Sequence, residues 1–245
     1  MRYTAESGFV LHARPYRETS LLLEVLSEHH GRLGVLARGV RGAKRHVLRA
    51  ALQPLQQIRF DALQRGELAQ LHAAEALDAQ PPLTGDAAMA AFYLNELVMS
   101  LTPRQDPMPA LYIAYARTRA QLHAPGVARV ALSWALRQFE RDLLEALGVG
   151  LPLDLDGDGG SIDPAGRYTL DPEHGPRRLL SERGREERNA SATGRALLSL
   201  ANGKSPAPEE LPGLRRALRA VLVHHLGGRV LHSWQLMVEL DRLSS

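Results

Sequence analysis

The hydrophobic period of this chain changes at Pro81-Pro82, and this change constrains the fold more than any other feature of the sequence. Before it, apolar runs of about five residues alternate with Gly, Pro or polar residues, which is typical of short β-strands. After it, apolar residues recur every three or four positions, as they do along one face of an α-helix. The sequence therefore predicts a β domain over residues 1–80 and a helical domain over residues 81–245.

The β domain contains five strand-like runs with no clear helix among them. The runs begin near Phe9, Leu21, Leu33, Leu55 and Leu68. Five short strands suggest a small closed barrel, and the OB-fold is the commonest barrel of that size. We therefore expect an α+β protein, in which a five-stranded OB-fold barrel is followed by an all-α domain.

The helical domain is interrupted by a segment of about 151–190 that is rich in Gly, Pro, Asp and Arg. Only Arg167–Leu170 within it resembles a strand, so we expect a loop-rich insertion or a long loop. Ser191, which is a favourable N-cap residue, precedes the next helical pattern. The expected helices are Asp86–Leu101, Ala110–His123, Val127–Leu147, Ser191–Leu200, Glu209–Leu226 and Leu231–Leu243.

A basic, glycine-spaced loop, Arg38-Gly39-Val40-Arg41-Gly42, is the strongest candidate for a binding site. No acidic residue occurs between Glu28 and Asp61. Positive side chains at this density repel one another unless an anion lies opposite them, and the phosphate backbone of a nucleic acid is the usual anion. Glycine also lets backbone N–H groups approach a phosphate closely. The expected DNA-binding residues are Arg14, Arg32, Arg38, Arg41, Lys44, Arg45 and Arg49.

The alternative is a solvated loop whose charge serves only solubility. Solvated faces usually mix the two signs, and the missing acids argue against this interpretation. Aromatic rings are also rare here, since residues 1–80 contain only Tyr3, Phe9, Tyr16 and Phe60. We therefore expect base stacking to be minor and backbone contact to dominate, with weak sequence preference and steep salt dependence.

Several other kinds of protein are disfavoured by the sequence. The chain has no cysteine, so it can form neither a disulfide nor a thiolate metal site. No signal-peptide core and no membrane-spanning apolar run is evident, so we expect a cytoplasmic protein. Asp154 to Gly159 resembles the start of a calcium loop, but the twelfth position is Ala165 instead of the required Glu, which favours a simple turn. No catalytic or nucleotide-binding motif is present, so we expect neither enzymatic activity nor a cofactor.

The order of several short motifs resembles the RecO family of recombination mediators. No single motif is specific, but together they span nearly the whole chain in the family's order. In the β domain they are Gly8-Phe9-Val10-Leu11, Arg14-Pro15-Tyr16-Arg17-Glu18-Thr19, Gly31-Arg32-Leu33, Ala37-Arg38-Gly39-Val40-Arg41 and Ala51-Leu52-Gln53-Pro54-Leu55. In the helical domain they are Tyr93-Leu94-Asn95-Glu96-Leu97, Leu136-Arg137-Gln138-Phe139-Glu140 and Leu226-Gly227-Gly228-Arg229-Val230-Leu231-His232-Ser233.

This resemblance implies an OB-fold that binds single-stranded and double-stranded DNA and anneals complementary strands. It also implies a partnership with RecR, and possible contact with RecF, in loading RecA onto DNA coated by single-strand-binding protein (SSB). The place of action would be the nucleoid. Family members bind the acidic C-terminal tail of SSB in the helical domain, and the arginine concerned corresponds to Arg137.

The chain departs from the family's pattern at two positions. Some members carry a four-cysteine zinc site in the insertion, whereas Asp154 stands near the place of the first such cysteine. Ser233-Trp234 stands where the pattern more often has Ser-Arg, which removes a cation from the last helix. The alternative function that the sequence leaves open is a protein–protein adaptor whose basic barrel binds an acidic partner.

Overall fold

Two compact units divide the chain, Met1–His123 and Ala124–Ser245. The computed structural model describes residues 1–40, 46–78, 80–179 and 190–236. The change from strands to helices near residue 81 lies inside the first unit, because the first two long helices pack with the strands.

The first unit contains the expected barrel of five strands. They are β1 (Arg2–Tyr16), β2 (Ser20–Ser27), β3 (Gly31–Ala37), β4 (Gln57–Gln64) and β5 (Ala69–Ala76). Their order around the barrel is β1-β2-β3-β5-β4, and the pairing of β4 with β1 closes it. All pairs are antiparallel except β3 with β5. The sequence prediction of a closed five-stranded barrel is thus confirmed.

A short helix, α1 (His46–Ala51), lies between β3 and β4, so the expectation of no helix in this region was wrong. Its six residues make fewer than two turns, which is too short for a helical period to show in the sequence. Leu52, immediately after the helix, is fully buried in the barrel core, and Leu48 packs against the same core. The helix therefore supplies apolar side chains to the interior that the strands enclose.

Two helices complete the first unit, α2 (Gly85–Leu101) and α3 (Pro109–Leu122), and both agree with the predicted bounds to within one residue. Asn95 on α2 donates a hydrogen bond of 2.8 Å to the carbonyl oxygen of Leu11 on β1. The hydroxyl of Tyr115 on α3 donates in turn to Asn95 Oδ1 at 2.6 Å. The buried amide of Asn95, the Leu11 carbonyl and the Tyr115 hydroxyl are thereby paired with one another.

The second unit consists mainly of helices, and none of the helices in the described ranges is long and apolar enough to cross a bilayer. Its long helices are α4 (Arg129–Ala146), α5 (Gly194–Ala201) and α6 (Leu211–His225), and a 3₁₀ turn, Pro208–Glu210, precedes α6. Residues 232–236 are helical again.

The insertion, together with the residues directly after it, forms a small sheet as well as loops. Its strands are β6 (Arg167–Asp171), β7 (Gly175–Arg178) and β8 (Ala192–Thr193), in the order β7-β6-β8. The sequence indicated only the first of these, because strands of four and two residues are too short to show an alternating pattern.

The N-cap of α5 is Thr193, and the expected cap Ser191 was wrong. Thr193 Oγ1 accepts a hydrogen bond of 3.1 Å from the amide of Ala196, so the helix begins later than predicted. The strand β8 takes up the residues directly before it.

The turn at Asp156 accounts for the calcium-like pattern. Asp156 Oδ1 accepts hydrogen bonds from the amides of Asp158 (3.1 Å) and Gly160 (2.7 Å). This is the Asp/Gly-rich turn that the sequence favoured. No group of three His, Asp or Glu side chains within the described residues is arranged to hold a metal ion.

Candidate nucleic-acid interface

Strand register brings three arginines to one end of the barrel. Tyr16 pairs with Ser20, so a turn of three residues joins β1 to β2. Leu21 pairs with Ala37, and Arg38 therefore leaves β3 beside that turn. Arg14, Arg17 and Arg38 are all exposed, and we call these three residues the cationic end.

A β-bulge decides which face of β1 these side chains occupy. Val10 is fully buried in the barrel core, and Ala13 packs against the same core. Two inward-facing residues cannot be three positions apart on a regular strand, where side chains alternate. The register with β2 shifts between Val10 and His12, and the extra residue reverses the alternation. Beyond the bulge, Arg14 and Tyr16 consequently share the outer face.

An apolar strip runs across the outer face beside these residues. Arg14 lies opposite Leu22, Leu22 lies opposite Leu36, and Leu36 pairs with Gln70 on β5. Leu22 and Leu36 are half-buried, so part of each remains open to solvent. The outer face of the barrel therefore combines cations at one edge with the aliphatic side chains of Leu22 on β2 and Leu36 on β3.

Tyr16 is the accessible aromatic ring of the barrel strands. It is 37% exposed, whereas Tyr3 and Phe9 are each 1% exposed and Phe60 is 2% exposed. The guanidinium carbon of Arg17 lies 5.3 Å from the centroid of the Tyr16 ring. Sequence reasoning counted all four rings alike, because composition does not reveal burial. The signal that singles out Tyr16 is its position directly before a hairpin turn.

Arg32, which the sequence suggested as a DNA contact, is engaged inside the unit instead. Its Nη1 donates to Glu24 at 2.6 Å, and its Nε and Nη2 donate to the carbonyl oxygen of Thr102 at 3.2 and 2.8 Å. Only 15% of the side chain is exposed. Arg104 binds the same carboxylate from the connection that follows α2. Arg32 therefore holds the barrel to the start of that connection and does not belong to the cationic end.

The remaining cations suggested by the sequence fall into two groups. Arg49 is exposed on α1. Arg41, Lys44 and Arg45 lie outside the described residues.

The second unit contains a separate arginine cluster, formed by Arg137 on α4 with Arg215, Arg216 and Arg219 on α6. Arg137 is only 2% exposed and is paired with Glu140 one turn further along the same helix. Its Nε and Nη1 make no hydrogen bond within the described residues. Partial burial, and then the positive charges of Arg137, Arg216 and Arg219, lower the pKa of Arg215. Concentrated positive charge beside buried N–H donors is suited to binding a carboxylate.

Trp234, in the helical residues 232–236, also contributes to this cluster. The guanidinium carbon of Arg219 lies 4.1 Å from the centroid of the indole ring, and Trp234 is 4% exposed. The ring holds Arg219 by a cation–π interaction.

A groove of about 1400 Å³ lies elsewhere on the first unit, lined by parts of α1, α2 and β5. Two exposed apolar side chains line it, Val47 (75% exposed) and Phe92 (42% exposed). Glu75 and Asp78 also line it, so its charge does not favour a phosphate backbone.

Comparison with known proteins identifies the family. The model of the recombination protein O N-terminal domain matches residues 1–80, and that of the recombination protein O C-terminal domain matches residues 82–235. A DNA repair protein RecO from Stenotrophomonas maltophilia (strain K279a) is 62% identical over 235 residues, which cover 96% of each chain. Another from Xanthomonas campestris pv. campestris (strain B100) is 58% identical over 237 residues, which cover 97% of each chain. The chain therefore belongs to the RecO family of DNA repair and recombination proteins.

Proposed function

We propose that the protein binds single-stranded and double-stranded DNA through the cationic end of its barrel. We further propose that it anneals complementary strands and, with RecR, helps to load RecA onto SSB-coated DNA. The observation that carries the DNA-binding proposal is the convergence of Arg14, Arg17 and Arg38 beside one hairpin turn. Membership of the RecO family supports the wider role in recombination.

The proposed mechanism relies on binding energy alone. Two complementary strands repel each other through their phosphates, and cations held on a rigid barrel reduce that repulsion. Three further cations follow Arg38 closely in the sequence, namely Arg41, Lys44 and Arg45. Such contacts position a backbone without recognising its sequence, which suits a protein that must act on any DNA.

A salt titration tests this proposal. Each lost phosphate contact lowers the slope of log K against log salt by about 0.7 on single strands, so the triple variant Arg14→Ala, Arg17→Ala and Arg38→Ala should flatten it by about 2. Arg59→Ala is the matched control, because Arg59 is an exposed barrel arginine that pairs with Glu75 at 3.2 Å. An unchanged slope in the triple variant, with normal folding by circular dichroism, would remove the cationic end from DNA binding.

A second attachment is proposed at the arginine cluster, which would bind the acidic C-terminal tail of SSB. The tail implied by the family ends in aspartate and phenylalanine, and guanidinium groups are the usual partners of its carboxylates. Arg215 and Arg219 retain exposed surface and are the residues through which a peptide would first make contact. Arg137, being buried against Glu140, would strengthen the positive field behind them.

Arg215→Ala and Arg219→Ala should each weaken binding of an SSB tail peptide, measured by fluorescence anisotropy. Substituting Arg137 is a poor test, because it removes an ion-pair partner of the buried Glu140 and would destabilise the unit. Arg195→Ala serves as the control, since Arg195 is a 72% exposed arginine of the same unit that binds Glu210. Equal peptide affinity in all three variants would refute this placement.

The groove of the first unit favours a second candidate function, that of a protein adaptor. Apolar surface at Phe92 and Val47 is suited to a protein partner such as RecR. If adaptor activity dominates, Phe92→Asp should abolish RecR binding, and the triple arginine variant should leave DNA affinity unchanged. If DNA binding dominates, the triple variant should lose DNA affinity whatever the effect of Phe92→Asp.

A further inference from the structure

We propose that Tyr16 stacks on an unpaired base, which makes the cationic end selective for single-stranded over duplex DNA. This inference rests on the proposed function, because it assigns one ring of the same surface to the base instead of the phosphate. It also revises the sequence-based expectation that stacking is minor.

The first argument is the exposure of the ring. A tyrosine on a barrel strand is usually packed against neighbouring side chains, as Tyr3 is at 1% exposure. Tyr16 keeps 37% of its surface open at the end of β1, on the outer face that the bulge creates. An aromatic ring exposed among cations has the composition of a single-strand binding site.

The second argument is the set of side chains that surround the Tyr16 ring. Arg14 is two residues before Tyr16 on the same strand and therefore on the same face. Arg17 lies over the ring at 5.3 Å, which fixes a cation within reach of a phosphate next to a stacked base. The half-buried side chains of Leu22 and Leu36 extend the apolar surface beside Arg14.

The third argument concerns the backbone. Arg17 has a φ of 53°, the left-handed region that non-glycine residues seldom adopt. This conformation belongs to the short turn that carries Arg17 next to the Tyr16 ring. Strain of this kind is found at binding sites more often than elsewhere, and here it lies beside the exposed ring.

Selectivity for single strands follows from geometry. Within a duplex both faces of each base are covered by neighbouring base pairs, so an external ring cannot stack on them. In a single strand one face becomes available without unpairing. Phosphate contacts by Arg14 and Arg38 would be made with either form, and only the single strand would gain the contact with Tyr16.

The test compares two single strands that differ only in their bases. One is an oligothymidylate of about 16 nucleotides, a length that suits an OB-fold, and the other is an abasic strand with the same number of phosphates. For the full chain, Tyr16→Ala should weaken oligothymidylate binding by roughly 5- to 100-fold and leave binding of the abasic strand and of duplex DNA within about twofold. Tyr16→Phe should retain wild-type affinity, because it keeps the ring.

Phe92→Ala is the matched control, because Phe92 is an exposed ring (42%) of the same unit that lies in the apolar groove. It should not change the affinity of either strand. Tyr16→Trp adds a direct readout, since stacking should quench the fluorescence of the introduced indole with oligothymidylate but not with the abasic strand. The wild type, titrated in the same way, gives the background signal of the two native tryptophans.

The inference is overturned if Tyr16→Ala weakens both strands equally, or neither, while the wild type still binds with a steep salt dependence. That result would leave the proposed DNA binding intact. Absence of salt-dependent binding by the wild type itself would overturn the proposed function and this inference together.

Discussion

Arg119 on α3 binds Asp78 through two parallel hydrogen bonds of 2.7 and 3.0 Å. Its Nε also donates to the carbonyl oxygen of Leu55, and its guanidinium carbon lies 5.4 Å from the centroid of the Phe9 ring. Only 6% of the Arg119 side chain is exposed. A single side chain thus connects α3 with three separate segments of the barrel sequence.

Replacing Arg119 by Met should therefore destabilise the first unit. Removing one partner of a buried ion pair costs about 3–5 kcal/mol, and the lower end applies because the Asp78 side chain is 24% exposed. We expect the free energy of unfolding, measured in urea, to fall by about 3 kcal/mol. Arg117→Met, at an exposed position of the same helix, is the control and should change it far less. Similar losses for both variants would contradict the role given to Arg119.

Two glycines with the same backbone conformation should respond differently to a methyl group. Gly31 and Gly39 both have a φ of 67°. A Cβ on Gly31 would lie 2.0 Å from the carbonyl oxygen of Asp106, whereas a Cβ on Gly39 would have no neighbour within 4 Å among the described residues. Gly39→Ala should cost about 1 kcal/mol for the left-handed conformation alone, and Gly31→Ala should cost at least about 2 kcal/mol more. Equal urea midpoints for the two variants would show that the Asp106 backbone yields freely.

The strands and helices of the first unit were largely predictable from sequence, because buried strands and long amphipathic helices leave regular patterns. The helix at His46–Ala51 and the strands Gly175–Arg178 and Ala192–Thr193 were not, since none of them spans more than two repeats of its period. Their formation depends on contacts with residues far away in sequence, such as the burial of Leu52 in the barrel.

The four cations that follow β3 in the sequence should dominate the salt dependence of DNA binding. Contact with about five phosphates gives a slope of roughly −3.5 on single strands. Replacing Arg38, Arg41, Lys44 and Arg45 by Ala should reduce its magnitude by up to about 2.8, and affinity should fall alike for all sequences. The measurement is anisotropy with fluorescent single strands over a series of salt concentrations. A loss confined to one sequence would indicate base recognition instead.

The hairpin between β6 and β7 should carry an acid-sensitive part of the stability. Asp171 accepts hydrogen bonds from the amides of Glu173 and His174 and from the His174 ring, and these lower its pKa from 3.8 to about 2. A lowered pKa stabilises the fold above the unfolded-state value, and this stabilisation is lost as the pH falls from about 4 to about 2. The stability difference between wild type and Asp171→Asn should therefore shrink across that interval in urea titrations. A difference that stays constant from neutral pH to pH 2 would contradict this account.

The candidate site was predictable only in part, as Arg32, Arg38 and Tyr16 illustrate. Charge counting treated Arg32 and Arg38 alike, although Glu24 and the Thr102 carbonyl occupy the guanidinium of Arg32. Both partners come from other segments, and Thr102 is 70 residues away. Tyr16 was undervalued because a count of aromatic rings ignores burial, and its position directly before the hairpin turn was not weighed.

The bulge at Leu11 determines which later residues of β1 point out of the barrel, because side chains alternate along a strand. Deleting Leu11, the extra residue, would restore simple alternation and keep Arg14 and Tyr16 on the outer face, because Ala13 would then stand two positions after Val10. Deleting a second residue there would turn both side chains towards the barrel interior. Asn95, whose side-chain amide donates to the Leu11 carbonyl oxygen, lies on α2, which follows the last barrel strand in the sequence. We therefore expect the face that Arg14 and Tyr16 occupy to depend on whether an odd or an even number of residues is deleted at this point, and not on the size of the deletion.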